Sequence, residues 1–168
     1  MAMVCPKRHF PLSSLHSMPI LHIIAHNIRS AENIGSILRT ADSLGVAKVW
    51  IVGYSPTPEH RKVSKTALGA QDSVDWEQVV DLTQVLQELR AENFRIIGLE
   101  LDERAIELSK YQPKEKMALL LGNEVEGIPP SIRDLCDDLI QIPQRGKKES
   151  LNVSVATGIA AYRLLQSV

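Results

Sequence analysis

Short apolar runs that stop abruptly at polar turns constrain this chain most. Met117-Ala118-Leu119-Leu120-Leu121 ends in Gly122-Asn123-Glu124-Val125-Glu126-Gly127-Ile128. Leu139-Ile140-Gln141-Ile142-Pro143 is followed by Ser150-Leu151-Asn152-Val153-Ser154-Val155-Ala156. Such runs, bounded by Gly, Asn and Ser, suit strands buried on both faces. Leu21–Ala25, Lys48–Val52 and Phe94–Leu99 read the same way. Between them Ile34, Ile37, Leu38, Ala41 and Leu44 recur at helical spacing, and Gly45 stops that helix as a C-cap. Val79–Ala91 reads as a second amphipathic helix. Asn152–Gln166 reads as a third, apolar on more than one side, as in a deeply packed helix. Strands alternating with helices predict an α/β fold, a mostly parallel sheet covered by helices on both faces. Ligands of such sheets bind beyond the carboxyl ends of the strands. The two Asn-bearing turns therefore predict a site.

The 168 residues fit one domain. Residues 1–18 hold two prolines, three serines and no periodicity, and read as a loose arm before a single domain at 19–168. Residues 54–72 read as an irregular basic loop. A net charge of −1 argues neither for nor against a nucleic-acid partner, so the distribution of charge decides. The two cysteines, Cys5 and Cys136, lie far apart without CxxC spacing, which predicts a reducing compartment. No apolar run approaches the roughly 20 residues that span a bilayer. Lys7 and Arg8 are followed by no continuous apolar segment, which argues against a signal peptide. The expectation is a cytoplasmic protein with no membrane contact.

Several polar residues have two readings each. Asn33 is either a helix cap or a site residue, and Arg39 either a solvated charge or a guanidinium held for bidentate phosphate contact. Glu124 is either stabilised by a helix N-terminus or a cleft acceptor. Ser150 and Asn152 either cap the last helix or line a pocket. His22 and His26 stand four apart, but on a predicted strand and its exit and without a third ligand, so no metal is expected. Leu68-Gly69-Ala70 is no P-loop, and the chain has no GxGxxG. Basic residues gather at Arg61, Lys62 and Lys65 and at Arg145, Lys147 and Lys148. With Arg29 they would form a phosphate-tracking surface if the loops are neighbours.

Taken in order, Asn33…Arg39-Thr40-Ala41-Asp42, Leu121–Ile128, and Ile142-Pro143…Ser150–Ala156 closely resemble the three motifs of the SpoU/TrmH branch of the SPOUT RNA methyltransferases. The resemblance spans residues 27–166. It implies a C-terminal trefoil knot, S-adenosylmethionine as methyl donor, transfer to a ribose 2′-hydroxyl of tRNA or rRNA, and a homodimer with the site near the interface. By position it implies a cofactor cradle of Gly122, Ile142 and Leu151, with Leu121, Asn123 and Pro143 beside it and Glu100 at an earlier strand end. It implies a catalytic set of Asn33, Arg39, Glu124, Ser150 and Asn152, and RNA contacts from the basic residues above. Asn33 would hold Arg39, and Glu124 would orient Arg39 or Asn152. The separate N-terminal substrate-recognition domain of many relatives is not seen, which leaves the substrate open. Two alternatives remain: transfer to a base nitrogen on the same fold, and an RNA-binding paralogue that has lost catalysis.

Overall fold

A computed structural model describes residues 19–147 and 150–166. The arm expected at residues 1–18 and the basic residue Lys148 lie outside the described residues. The elements run β1 (Ile20–His26), α1 (Ala31–Leu44), β2 (Lys48–Val52), α2 (Arg61–Ala67), a 3₁₀ turn (Ala70–Asp72), β3 (Trp76–Val79), α3 (Leu82–Ala91), β4 (Arg95–Leu99), β5 (Ile106–Glu107), β6 (Lys116–Leu121), α4 (Pro130–Arg133), β7 (Asp138–Gln141) and α5 (Val153–Leu164). All seven strands join one parallel sheet in the order β3-β2-β1-β6-β4-β7-β5.

Alternation along the strands explains the layers. Leu21, Ile23 and Ala25 of β1, with Met117, Leu119 and Leu121 of β6, face a cluster that includes Ile34, Ile37 and Leu38 of α1 and Ala160 and Leu164 of α5. Ile24, Trp50, Ala118 and Leu120 face the opposite cluster, with Val85, Leu86 and Leu89 of α3. The five predicted strands thus occupy the centre of the sheet, with helices on both faces.

The departures lie where the chain is polar or short. Residues 54–72 are not irregular throughout: they contain α2 and the 3₁₀ turn. Only Val63 and Ala67 of α2 are buried, and the helix packs on α1 at Gly35. A Cβ at Gly35 would lie 2.6 Å from Val63 O and 2.7 Å from Thr66 Cβ. Val79 closes the edge strand β3 rather than opening a helix, because Asp81 caps α3 by accepting from Thr83 N at 2.8 Å. The last helix is not deeply packed all round: Thr157, Ala160, Ala161 and Leu164 are buried, while Val155, Ile159 and Tyr162 are exposed. No helix among the described residues is long and apolar enough to cross a membrane.

His22 and His26 gather no third ligand, and no cluster of three potential metal-binding side chains occurs among the described residues. His22 instead accepts a hydrogen bond from Trp50 Nε1 through Nδ1 (3.3 Å) and stacks near Phe94, with centroids 4.3 Å apart. Burial pushes its pKa down to about 4. Between that value and the ordinary 6.5 the unfolded chain takes up a proton that the folded chain resists. Stability should therefore be intact above pH 6.5 and decline as pH falls toward 4. His22→Gln keeps an acceptor for Trp50 without titrating. Urea unfolding across that window should show a flatter decline for the variant than for the parent, and identical slopes would refute this assignment.

Candidate active site

The chain reverses direction across the sheet between β1 and β6. From β1 the path moves outward to β2 and β3, and the later strands lie on the other side of β6. The loops leaving the carboxyl ends of β1 and β6 part at such a point and leave a crevice. Here a carboxylate ties them together. Glu124, in the turn after β6, accepts from Arg29 N (2.8 Å) and Ser30 N (3.0 Å) through its two oxygens, and from Asn33 Nδ2 (2.9 Å). Desolvation favours the neutral acid, but these hydrogen bonds outweigh it and hold the carboxyl below its usual range. The anion also faces the start of α1, where unpaired N–H groups favour negative charge.

The tie continues to the last helix. Asn152 Nδ2 donates to Asn33 Oδ1 at 3.0 Å. Asn152 Oδ1 meanwhile caps α5, accepting from Ser154 N at 2.9 Å and Val155 N at 3.4 Å. The cap reading and the site reading of Asn152 are therefore both realised, one by each end of its amide. Ser30, not Asn33, caps α1, its Oγ accepting from Asn33 N. Asn33 is buried and free to relay between Glu124 and Asn152.

A cleft of about 500 Å³ opens beside this relay, a size that suits a small-molecule ligand. Glu100, Leu121, Gly122, Asn123, Ile142 and Leu151 line it, as do Glu124, Ser150 and Asn152; Pro143 lies outside the lining and is exposed. Leu99, Leu101, Gln141, Gln144 and Val153 add walls that sequence reasoning did not single out. Glu100 accepts from Leu101 N (2.9 Å) and Ile128 N (2.6 Å), so it braces the turn as well as facing the cleft. Gly122 is required by the turn itself: a Cβ there would lie 2.2 Å from Gly127 C and 2.4 Å from Ile128 N. Asn123 brackets the same turn, its Oδ1 accepting from Val125 N and Glu126 N and its Nδ2 donating to Asn27 O and Tyr54 Oη. Asn27 and Tyr54 were missed, although the rule applied to β6, polar residues after a strand, also marks the ends of β1 and β2.

Arg39 stands apart from the relay. It is exposed, in a groove with Ser36, Thr40, Ser43, Thr66 and Tyr162. Asn33 bonds Glu124 and Asn152 rather than Arg39. The six-residue offset along α1 turns Arg39 about 240° from Asn33. Arg29, Arg61, Lys62, Lys65, Arg145 and Lys147 are all exposed. The two basic groups, the first of them in α2 rather than in a loop, leave the sheet at well-separated strands. One follows β2 and the other β7, four strands away, or about 19 Å. The later group adjoins the cleft wall at Gln144, whereas the earlier one sits in α2, packed on α1.

A parallel α/β sheet with an Asn–Glu–Asn relay at its switch point defines a class, and comparison with known proteins gives the family. The SpoU rRNA Methylase family profile matches residues 20–162, and the chain belongs to that family. It is 36% identical over 139 residues to the 23S rRNA (guanosine-2′-O-)-methyltransferase RlmB of Acinetobacter baylyi, covering 80% of this chain and 55% of the relative. The chain thus spans little more than half the length of that relative. Among solved structures, the SpoU methyltransferase AviRb of Streptomyces viridochromogenes in complex with the cofactor AdoMet superposes with a TM-score of 0.80 at 26% identity, covering 88% of this chain and 60% of AviRb. The TrmH/SpoU tRNA-modifying enzyme of A. aeolicus gives 0.76 at 30% identity, covering 86% and 73%.

The carboxylate of Glu124 predicts its own test. Glu124→Ala leaves three donors without their acceptor and should lower stability by on the order of 1–2 kcal/mol, reduced from the buried-charge figure by solvent screening. Glu124→Gln keeps one acceptor oxygen and should lose less. Because the folded pKa is depressed, the contribution should be full above the unfolded carboxyl pKa and vanish as pH falls through the folded value. Denaturant unfolding at neutral and acid pH reads both effects. Equal stability of the parent and the Ala variant at neutral pH would exclude the tie.

Proposed function

We propose that this chain is an S-adenosylmethionine-dependent RNA methyltransferase acting on a ribose 2′-hydroxyl of rRNA. The observation that carries the reading is the cleft at the carboxyl ends of β4, β6 and β7, where six residues expected to hold cofactor and three expected to act in catalysis line one space. Its apolar walls at Leu99, Leu121, Ile142 and Leu151 fit an adenosine, and Glu100 adds an acceptor of a kind that suits hydroxyls. S-adenosylmethionine supplies an electrophilic methyl group when bound. What the protein must add is alignment of the hydroxyl and stabilisation of the alkoxide that develops on it. Glu124 and Asn33 fix the loop and Asn152 beside the cleft, and Ser150 shapes its floor. Pro143 adjoins Ile142 of the cradle.

The same reading includes a homodimer. Val155, Ile159 and Tyr162 leave an apolar stripe exposed on α5, next to both the cleft and the Arg39 groove. Two copies packed across α5 would bring Arg39 of one copy toward the cleft of the other. A guanidinium stays protonated, so Arg39 acts as an electrostatic stabiliser of the alkoxide and a neighbouring phosphate rather than as a base. The proton leaves to that phosphate or to water. The exposed cations Arg29, Arg61, Lys62, Lys65, Arg145 and Lys147, with Lys148, would track the RNA backbone. We extend the reading to the chain path and the setting: residues 19–168 work as one domain, the C-terminal segment forms the trefoil knot, and the protein acts in the cytoplasm. The insertion of β7 beside β4 and the return of α5 against α1 support the knot.

The test is methyl transfer from labelled S-adenosylmethionine to unmodified rRNA and tRNA, followed by nucleoside digestion. 2′-O-Methylnucleosides from rRNA are expected. Methylated bases would favour base transfer, and absence of cofactor binding would favour an inactive RNA-binding paralogue. Arg39→Ala should slow single-turnover transfer roughly 100- to 1000-fold with little change in cofactor affinity. Arg39→Lys should also be badly impaired, because an ammonium lacks the planar two-pronged contact. Lost cofactor affinity in either variant would reassign Arg39 to the cradle.

A further inference from the structure

A surface tyrosine ordinarily lays its ring on apolar neighbours and turns its hydroxyl to water. Tyr54, just after β2, does the reverse. Its hydroxyl accepts from Asn123 Nδ2 at 2.7 Å, yet the residue is 61% exposed. Its main chain is pinned as well. Tyr54 N donates to Asn27 Oδ1 (3.3 Å), and Gly53 N donates to Val79 O (3.0 Å). Ser55 is buried, its Oγ accepting from Ile28 N at 2.8 Å. The close approach of Asn27 depends on Gly53, whose φ is +71° and whose Cβ would lie 2.0 Å from Asn27 Oδ1. The ring is thus an exposed aromatic face whose order is set before any ligand arrives.

Its position gives that face a use. Asn123, which holds the hydroxyl, lines the cleft and precedes Glu124 in the same turn. Asn27, which holds the main chain, lies two residues before the exposed Arg29, whose N–H bonds Glu124. The cations Arg61 and Lys62 follow within the next helix. A rigid aromatic face beside cations is how single-stranded nucleic acid is gripped without reading its sequence, since every base has a π-face. RNA sites that are read in single strands are held by such stacking.

We propose that Tyr54 is a positioning platform on which a base of the substrate RNA, at or next to the target nucleotide, stacks and so holds the ribose over the cleft. The proposal rests on the methyltransferase reading above. It assigns Tyr54 no part in the chemistry: its contribution is to RNA affinity and alignment.

The test uses Tyr54→Leu, Tyr54→Phe and Tyr54→Trp with an unmodified 23S rRNA transcript, and S-adenosylmethionine affinity as the control for an intact cleft. Loss of one base stack should raise the RNA KM of Tyr54→Leu roughly 5- to 150-fold. Cofactor affinity should not move, because Asn123 Nδ2 keeps Asn27 O as a partner. Tyr54→Phe and Tyr54→Trp keep a ring and should bind the transcript nearly as the parent does. The new indole should also be quenched by the transcript beyond any change in Trp50 and Trp76. An unchanged RNA KM in Tyr54→Leu would overturn the platform while leaving the activity standing. Equal impairment of Tyr54→Phe and Tyr54→Leu would overturn it too, by assigning the effect to the Asn123 bond. Weakened cofactor affinity in Tyr54→Leu would overturn it by making the residue a structural part of the turn. If the parent protein methylates no RNA, the functional reading fails and the platform falls with it.

Discussion

One carboxylate holds the two halves of this molecule in register at the point where function would reside. Glu124 comes from the turn after β6, and its donors come from the segment between β1 and α1, Arg29 and Ser30, and from Asn33 in the first turn of α1. Parallel pairing of β1 with β6 brings those ends together, but strand hydrogen bonds end at the last paired residues, Ala25 and Leu121. Beyond them the two loops are joined by Glu124 and by the bond from Asn123 Nδ2 to Asn27 O. The ionised side chain replaces missing ladder bonds with charge-assisted ones, which are shorter and stronger than neutral pairs. The same anion positions Asn33, and through it Asn152 and the first turn of α5.

This arrangement explains why asparagines stand where they do. A relay between an anion and a helix N-terminus needs a side chain that donates at one end and accepts at the other, and the carboxamide does both. Asn33 donates to Glu124 and accepts from Asn152, while Asn152 donates to Asn33 and accepts from the free N–H groups of α5. Asn123 uses the same property to close its turn and to hold Asn27 and Tyr54. Aspartate at position 33 would bring two carboxylates together, aspartate at position 152 would set an acceptor against Asn33 Oδ1, and either would lack the donor that continues the chain.

The centre of the fold is legible from the chain because its strands are buried on both sides. Lys48–Val52 appears at its predicted boundaries, and Gly45 ends α1 with φ +71° as a C-cap. The edges are not legible for the same physical reason. β3, Trp-Glu-Gln-Val, is paired on one side only and needs few apolar residues. The short α2 is mostly polar and is held by a close approach to Gly35 that no local pattern announces. In the site, the turn residues and Asn152 are legible because strand ends and helix starts carry their own signals. The separation of Arg39 from Asn33 is not, since it depends on where the groove and the cleft fall around α1 and α5. Tyr54 was hidden by its loop, which reads as polar punctuation until the hydroxyl is found on Asn123.

If the relay acts as one unit, its members should not contribute independently. A double-mutant cycle on Glu124→Ala and Asn152→Ala, read as single-turnover methyl transfer to an unmodified rRNA transcript, measures this directly. The account predicts strong non-additivity: either single change disconnects the relay, so the double variant should be scarcely slower than the slower single one. Independent effects, with the double variant slowed by the product of the two single losses, would contradict it.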